Sequence, residues 1–185
     1  KQIEFDAPVY PHLDTSQQWF GTTKARTDFS VDGNADGAAS YSASDIVIAV
    51  LDTGIDPNHV DLDGGKIIAW DDFTTRNWAT PDDEGGVCSG HGTHVSSIVA
   101  GEGQGNAAFK GVAPGAALIG LKVLRVSGGQ CVGQDSWVNA AIQWLIDNKA
   151  TYGIEVGNMS LGTSGCYDGT DSTSTLVNNA VNSGI

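Results

Sequence analysis

Ile46-Val47-Ile48-Ala49-Val50-Leu51-Asp52-Thr53-Gly54 is the stretch that decides the fold. Six apolar residues run together and four of them are β-branched. Such a run reads as a strand buried on both faces, as in a parallel sheet. Asp52-Thr53-Gly54 ends it and leaves a carboxylate at the strand's carboxyl end. Downstream, residues 56–90 read as loop, punctuated by Gly64-Gly65, Pro81 and Gly85-Gly86. Residues 91–100 read as a helix beginning in a Gly-flanked turn. Residues 117–126 read as a second buried strand, followed by a loop at Gly128-Gly129. A helix over 136–148 follows, with Ser136 as its cap. Its Trp137, Ala140, Ala141, Trp144 and Leu145 fall on one face and are expected in the core. Residues 154–159 read as a short strand. Asp171 or Ser172 would cap a helix over 173–182, and Ile185 would open a further strand. Upstream, residues 1–44 are polar and turn-rich, a surface arm. Strand alternating with helix predicts an α/β fold, a parallel β-sheet sandwiched between helices. In such sheets, sites gather at the carboxyl ends of the strands.

The 185 residues carry 22 acidic against 9 basic side chains, a formal net charge of -13. A nucleic-acid partner is therefore not expected, since phosphate contacts need a basic face. Solubility, a salt-rich habitat or bound divalent cations would each account for the excess. No apolar run is long enough to span a membrane. Lys1-Gln2-Ile3-Glu4 does not resemble a secretion signal and suits an already processed start. The three cysteines (Cys88, Cys131 and Cys166) make no C-x-x-C pair, which argues against zinc.

A carboxylate at a strand end can orient an imidazole and stabilise its cation. His91 lies between Gly90 and Gly92, which permit close packing. Asp52 and His91 could thus serve a Ser or Cys nucleophile, or form only a structural hydrogen bond between strand and helix. Cys88, three residues before His91, adds a catalytic thiol as an alternative.

Five segments in order carry a resemblance. Val50-Leu51-Asp52-Thr53-Gly54-Ile55 and Gly90-His91-Gly92-Thr93-His94-Val95 resemble the Asp and His signatures of the subtilase family. Asn158-Met159-Ser160-Leu161-Gly162 is similar to its substrate-binding segment. Gly111-Val112-Ala113-Pro114 and Leu121-Lys122-Val123-Leu124 match the stretches between. The resemblance covers about residues 44 to 185. It implies a subtilisin-like serine endopeptidase, with residues 45–185 as the N-terminal part of its catalytic domain. Asp52 would orient His91, and His91 would be the general base, while His94 would not. Ser160, Leu161 and Gly162 would pair with a bound protein or peptide substrate. Gly128 and Gly129 would lie on the opposite side, giving recognition through the substrate backbone. A secreted location follows from the same resemblance.

The family's Gly-Thr-Ser-Met-Ala-x-Pro nucleophile motif does not occur here. Gly162-Thr163-Ser164-Gly165 lacks its continuation and reads as a loop. The Ser and the oxyanion Asn are expected from a C-terminal remainder of the same enzyme. This fragment alone is expected to be inactive. The alternative is a catalytically inactive relative that binds peptide or calcium.

Asp32-Gly33-Asn34-Ala35-Asp36-Gly37 fits the opening of a calcium loop. The twelfth position, Ala43, cannot supply the closing carboxylate, and an Asx-rich turn is the plainer reading. Asp61, after Asp56 and His59, resembles a calcium ligand of the family. Structural calcium on Asp32, Asn34, Asp36 and Asp61 is therefore expected, with Asp168 and Asp171 as turn and cap residues. The resemblance places Cys131 and Cys166 on either side of the groove. A Cys131–Cys166 bridge is preferred, with Cys88–Cys131 as its rival.

Overall fold

The apolar run at 46–51 becomes β1 (Val47–Asp52), buried at every residue. The computed structural model describes residues 13–163 and 168–185. β1 lies at the centre of a four-stranded sheet that also contains β2 (Ile67–Asp72), β3 (Ala117–Lys122) and β6 (Ile154–Asn158). The strand order is β2-β3-β1-β6 and every pairing is parallel.

Side chains alternate across a strand, so β1 serves two cores at once. Val47, Ala49 and Leu51 pack with Ala117, Ile119 and Leu121 against α4 (Asp135–Tyr152) and α5 (Ser172–Asn182). Ile48, Val50 and Leu118 face the other way. They pack with Val95 and Ala100 of α3 (His91–Ala100), and with Ile55 and Leu62. The sheet is thus sandwiched between helices as predicted. Burying each of the Val, Leu and Ile side chains among them is worth about 1.5–3 kcal/mol, which is why an unbroken apolar run becomes the central strand.

Several local readings need correction. β2 lies in the stretch read as loop; it is only half-buried, and its apolar signal is just Ile67-Ile68-Ala69-Trp70. The strand read over 117–126 is broken. β3 ends at Lys122, and β4 (Leu124–Ser127) turns away to pair antiparallel with β5 (Gln130–Gly133). α4 begins at Asp135, so Ser136 is not its cap. Gln134 holds that position without a side-chain hydrogen bond. The buried face of α4 is Val138, Ala141, Ile142 and Leu145, while Ala140 is exposed. Trp137 and Trp144 flank this face and pack against the core. Asp171 caps α5 by accepting from the Ser174 amide at 3.0 Å. Asp168 accepts from the Thr170 amide in the preceding turn.

The arm is helical in part, with α1 (Leu13–Trp19) and α2 (Thr22–Phe29). Arg26 ties it down by donating to the carbonyls of Gly111 (2.5 Å) and Val112 (3.1 Å). Lys66, fully buried, donates to the Pro114 carbonyl at 2.7 Å. It lies 3.8 Å over the Tyr41 ring and 3.9 Å from Glu102. Burial pulls its ammonium down from 10.5 to about 8, while the Glu102 and Asp45 carboxylates oppose the shift.

Candidate active site

The parity that puts Ile48 and Val50 on the α3 face puts Asp52 there too, at the carboxyl end of β1. His91 is the first residue of α3. Gly90 precedes it with φ 65° and ψ 35°, a left-handed conformation that L-residues with a Cβ adopt at a cost. The turn delivers His91 Nδ1 to 2.7 Å from Asp52 Oδ1. Asp52 is 1% exposed and the His91 side chain 44%. The carboxylate is sequestered while the ring reaches the surface. Asp52 Oδ1 also accepts from the Thr53 amide at 2.7 Å, and Asp52 Oδ2 has no hydrogen-bond partner among the described residues.

Strand end and helix start approach very closely. A Cβ on Gly92 would lie 2.0 Å from the Gly54 carbonyl oxygen, and one on Gly54 2.0 Å from that of Asp82. Only glycine fits at either position. Hydrogen bonds close the joint. The Gly92 amide donates to Thr53 Oγ1 at 2.8 Å, and Thr53 Oγ1 donates to Asp83 Oδ1 at 2.6 Å. Asp83 Oδ2 accepts from both the amide (2.8 Å) and the hydroxyl (2.6 Å) of Thr93. Asp83 was not singled out from the sequence. Its only signal there is its place in Asp82-Asp83-Glu84, which looks like any solvated acidic loop.

Beneath the joint, Lys122 is fully buried. Its ammonium donates to the Thr53 carbonyl and, at 2.8 Å, to that of Leu124. It lies 3.2 Å from Glu84, which Arg76 also engages at 3.1 Å. Burial lowers the Lys122 pKa, and the Glu84 carboxylate partly offsets that. A charge this deep is tolerated because it is fully hydrogen-bonded.

His94 does not face Asp52. It lines a separate hollow of about 500 Å3 together with Asp56, His59 and Asp83. Gly128 and Gly129 form the turn of the β4–β5 hairpin with φ 58° and 75°, both positive as a two-residue hairpin loop requires. Leu161 and Gly162 lie across from the base of that hairpin. With Leu124, Gly133, Val138 and Met159 they line a cavity of about 440 Å3. Gly128 and Gly129, at the hairpin tip, are not among its walls. Ser160 is exposed and its hydroxyl accepts from Asn158 at 3.1 Å.

Cys88 pairs with Cys131, Cα atoms 5.1 Å apart. The preferred Cys131–Cys166 bridge is therefore wrong, and Cys166 itself lies outside the described residues, as do Ser164 and Gly165. A Cys88 nucleophile is ruled out for the same reason, since a disulfide sulfur is no thiolate. The pairing ties the segment entering His91 to the hairpin.

The loop at 32–37 folds onto itself. Asp32 Oδ1 accepts from the Asn34 amide (3.0 Å), Asn34 Oδ1 from Gly37 (2.6 Å) and Asp36 Oδ1 from Ala38 (2.7 Å). Asp61 is buried elsewhere, and its Oδ1 accepts from the Gly105 amide at 3.1 Å. Among the described residues no three His, Cys, Asp or Glu side chains gather as a metal cage. Of the four residues expected to bind calcium, Asp32, Asn34 and Asp36 share one self-bonded loop, and Asp61 is bonded to the separate segment at Gly105.

Residues 43–185 match the subtilase family. Over 147 residues the chain is 37% identical to subtilisin of Bacillus pumilus, covering 78% of this chain and 46% of that protein. It is 37% identical over 147 residues to subtilisin E of Bacillus subtilis strain 168, covering 78% and 33%. The solved structure of sphericase has a TM-score of 0.54 at 33% identity, over 83% of this chain and 48% of that one. The chain spans less than half the length of each of these relatives.

Proposed function

This chain belongs to the subtilase family, and from that premise we propose that it carries the acid–base part of a serine endopeptidase. The observation that supports the reading most is the 2.7 Å contact of buried Asp52 with half-exposed His91. Asp52 accepts a hydrogen bond from Nδ1–H and so leaves Nε2 as the basic nitrogen. The nucleophile is a serine supplied by sequence beyond Ile185, as is the oxyanion donor. As that hydroxyl attacks a peptide carbonyl, Nε2 takes its proton. The imidazolium then protonates the departing amine, leaving an acyl-enzyme. Water repeats the sequence and releases the acid. Asp52 stays ionised and steadies the imidazolium throughout.

The substrate is a protein or peptide held in extended form between the hairpin and the Ser160–Leu161–Gly162 segment. The cavity beside Leu161 and Gly162, with Leu124, Val138 and Met159 on its apolar wall and Gln134, Asp135 and Asp171 among its polar lining, supports a side-chain subsite there. The disulfide supports a secreted, oxidising setting. Calcium on Asp32, Asn34 and Asp36 rests on their residue types and spacing, and on Asp61 it rests on the family resemblance; no step of the mechanism runs through it.

The test is a fluorophosphonate label and a casein-hydrolysis assay on the full-length protein. Labelling and hydrolysis are expected in the parent, and His91→Ala should lose both. A full-length protein that binds peptide but neither labels nor hydrolyses would overturn the endopeptidase reading and restore the inactive one.

A further inference from the structure

Nothing within α3 caps its own start: Gly90 has no side chain to offer. The first-turn amides of a helix still need acceptors. Here both come from outside the helix. Thr53 Oγ1 takes the Gly92 amide and Asp83 Oδ2 takes that of Thr93. Thr53 has one hydroxyl proton, and it is directed to Asp83 Oδ1. That leaves an oxygen lone pair for Gly92. Asp83 therefore sets the direction of the Thr53 hydroxyl as well as holding Thr93. Its two oxygens grip the two sides of the joint, one on the β1 end and one on α3. Its carboxylate also favours the positive end of the helix dipole.

Asp83 is itself pinned. Its Oδ1 accepts from the Glu84 amide at 2.7 Å, and the Glu84 carbonyl accepts from the Gly90 amide at 2.9 Å. The Glu84 side chain is anchored on Lys122. Asp52 immediately precedes Thr53, and His91 lies two residues before Thr93. We infer that Asp83 is a positioning residue for the Asp52–His91 pair: a remote cap that fixes the distance between base and orienter without touching substrate. The inference rests on the endopeptidase reading for its kinetic consequence, but not for its structural one.

Two readouts on the full-length protein test it. In steady-state hydrolysis, Asp83→Ala and Asp83→Asn should each lower kcat about 10- to 100-fold, the scale of a 1 Å misplacement. KM should stay within about twofold, because the substrate strands are untouched. Asparagine is expected to fail because it cannot accept on both sides. Thr53→Val, which leaves Asp83 in place, should match the loss. Its combination with Asp83→Ala should be little worse than either alone, as for residues acting as one unit. The second readout is the low-field proton resonance of the His91 Nδ1–H, which needs no nucleophile. It should be present in the parent and lost in Asp83→Ala. A persisting resonance, or a KM rise at constant kcat, would overturn the inference. If no hydrolysis occurs in any variant, the functional reading fails while the resonance still decides on Asp83. Should Asp83→Ala not fold, Thr53→Val carries both measurements.

Discussion

Gly92→Ala is the sharpest perturbation of the joint between β1 and α3. Gly92 is fully enclosed, and a Cβ there would stand 2.0 Å from the Gly54 carbonyl oxygen and 3.0 Å from the Gly54 nitrogen. Those are backbone atoms of the segment that follows Asp52, so no side chain can swing away. Restoring an ordinary contact of 3.4 Å requires the first turn of α3 to retreat by about 1.4 Å. Carried into His91, that opens the 2.7 Å contact with Asp52 to roughly 4 Å, beyond hydrogen-bond range. Two effects compete in stability. Alanine improves helix propensity by about 1 kcal/mol. Overpacking against backbone costs about 1–3 kcal/mol, and the lost Gly92–Thr53 hydrogen bond about 1 kcal/mol more. The clash should win, lowering Tm by several degrees. The expected loss in kcat/KM is about 100-fold or more. The assay pairs peptide hydrolysis by the full-length protein with thermal denaturation. Gly120→Ala is the control. Its Cβ would meet the Trp70 ring at 2.6 Å and the end of the Ile55 side chain at 3.3 Å, and no backbone atom of the joint, so it should lower Tm with little change in kcat. If Gly92→Ala kept its activity within about threefold, the close-approach account of the site would be refuted.

Lys66 gives a pH signature. Its folded value of about 8 lies below the free-lysine 10.5, so the unfolded chain binds more protons between those limits. The charged ammonium costs the fold below pH 8, and that cost disappears as pH rises to 10.5. Stability should therefore climb by up to about 3 kcal/mol across this window relative to Lys66→Met, read from urea midpoints at each pH. Opening the Cys88–Cys131 bridge, which spans 43 residues, should cost about 4 kcal/mol by loop entropy. A denaturation midpoint unchanged by a dithiol reductant would contradict that. For calcium, chelation should lower the Tm of the parent, and Asp32→Ala with Asp36→Ala should remove part of that sensitivity. A chelator-insensitive Tm would dismiss the calcium reading.

β1, α3 and α5 could be read from sequence because each is written locally: an unbroken apolar run, a Gly-flanked start, an Asp cap. Asp52 and His91 were readable because their motifs sit on those elements. β2 was missed because an outer, half-buried strand carries only a short apolar signal inside a Gly-rich stretch. The inward face of α4 was misplaced because two apolar stripes one residue apart, Trp137/Trp144 and Val138/Ile142, both fit the helical period, and a step of one residue turns the face by about 100°. The disulfide partner of Cys131 and the role of Asp83 were not written locally at all. Cys88 and Cys131 are 43 residues apart. Asp83 takes its hydrogen bonds from Thr53 and Thr93, 30 and 10 residues away. Local sequence specifies β1, α3 and α5 and the side chains able to do acid–base chemistry, since hydrogen-bond periodicity and burial act within a few residues. What holds His91 at 2.7 Å from Asp52 arises from the packing of distant segments, because that distance depends on bringing β1 and α3 so close that glycine alone fits between them.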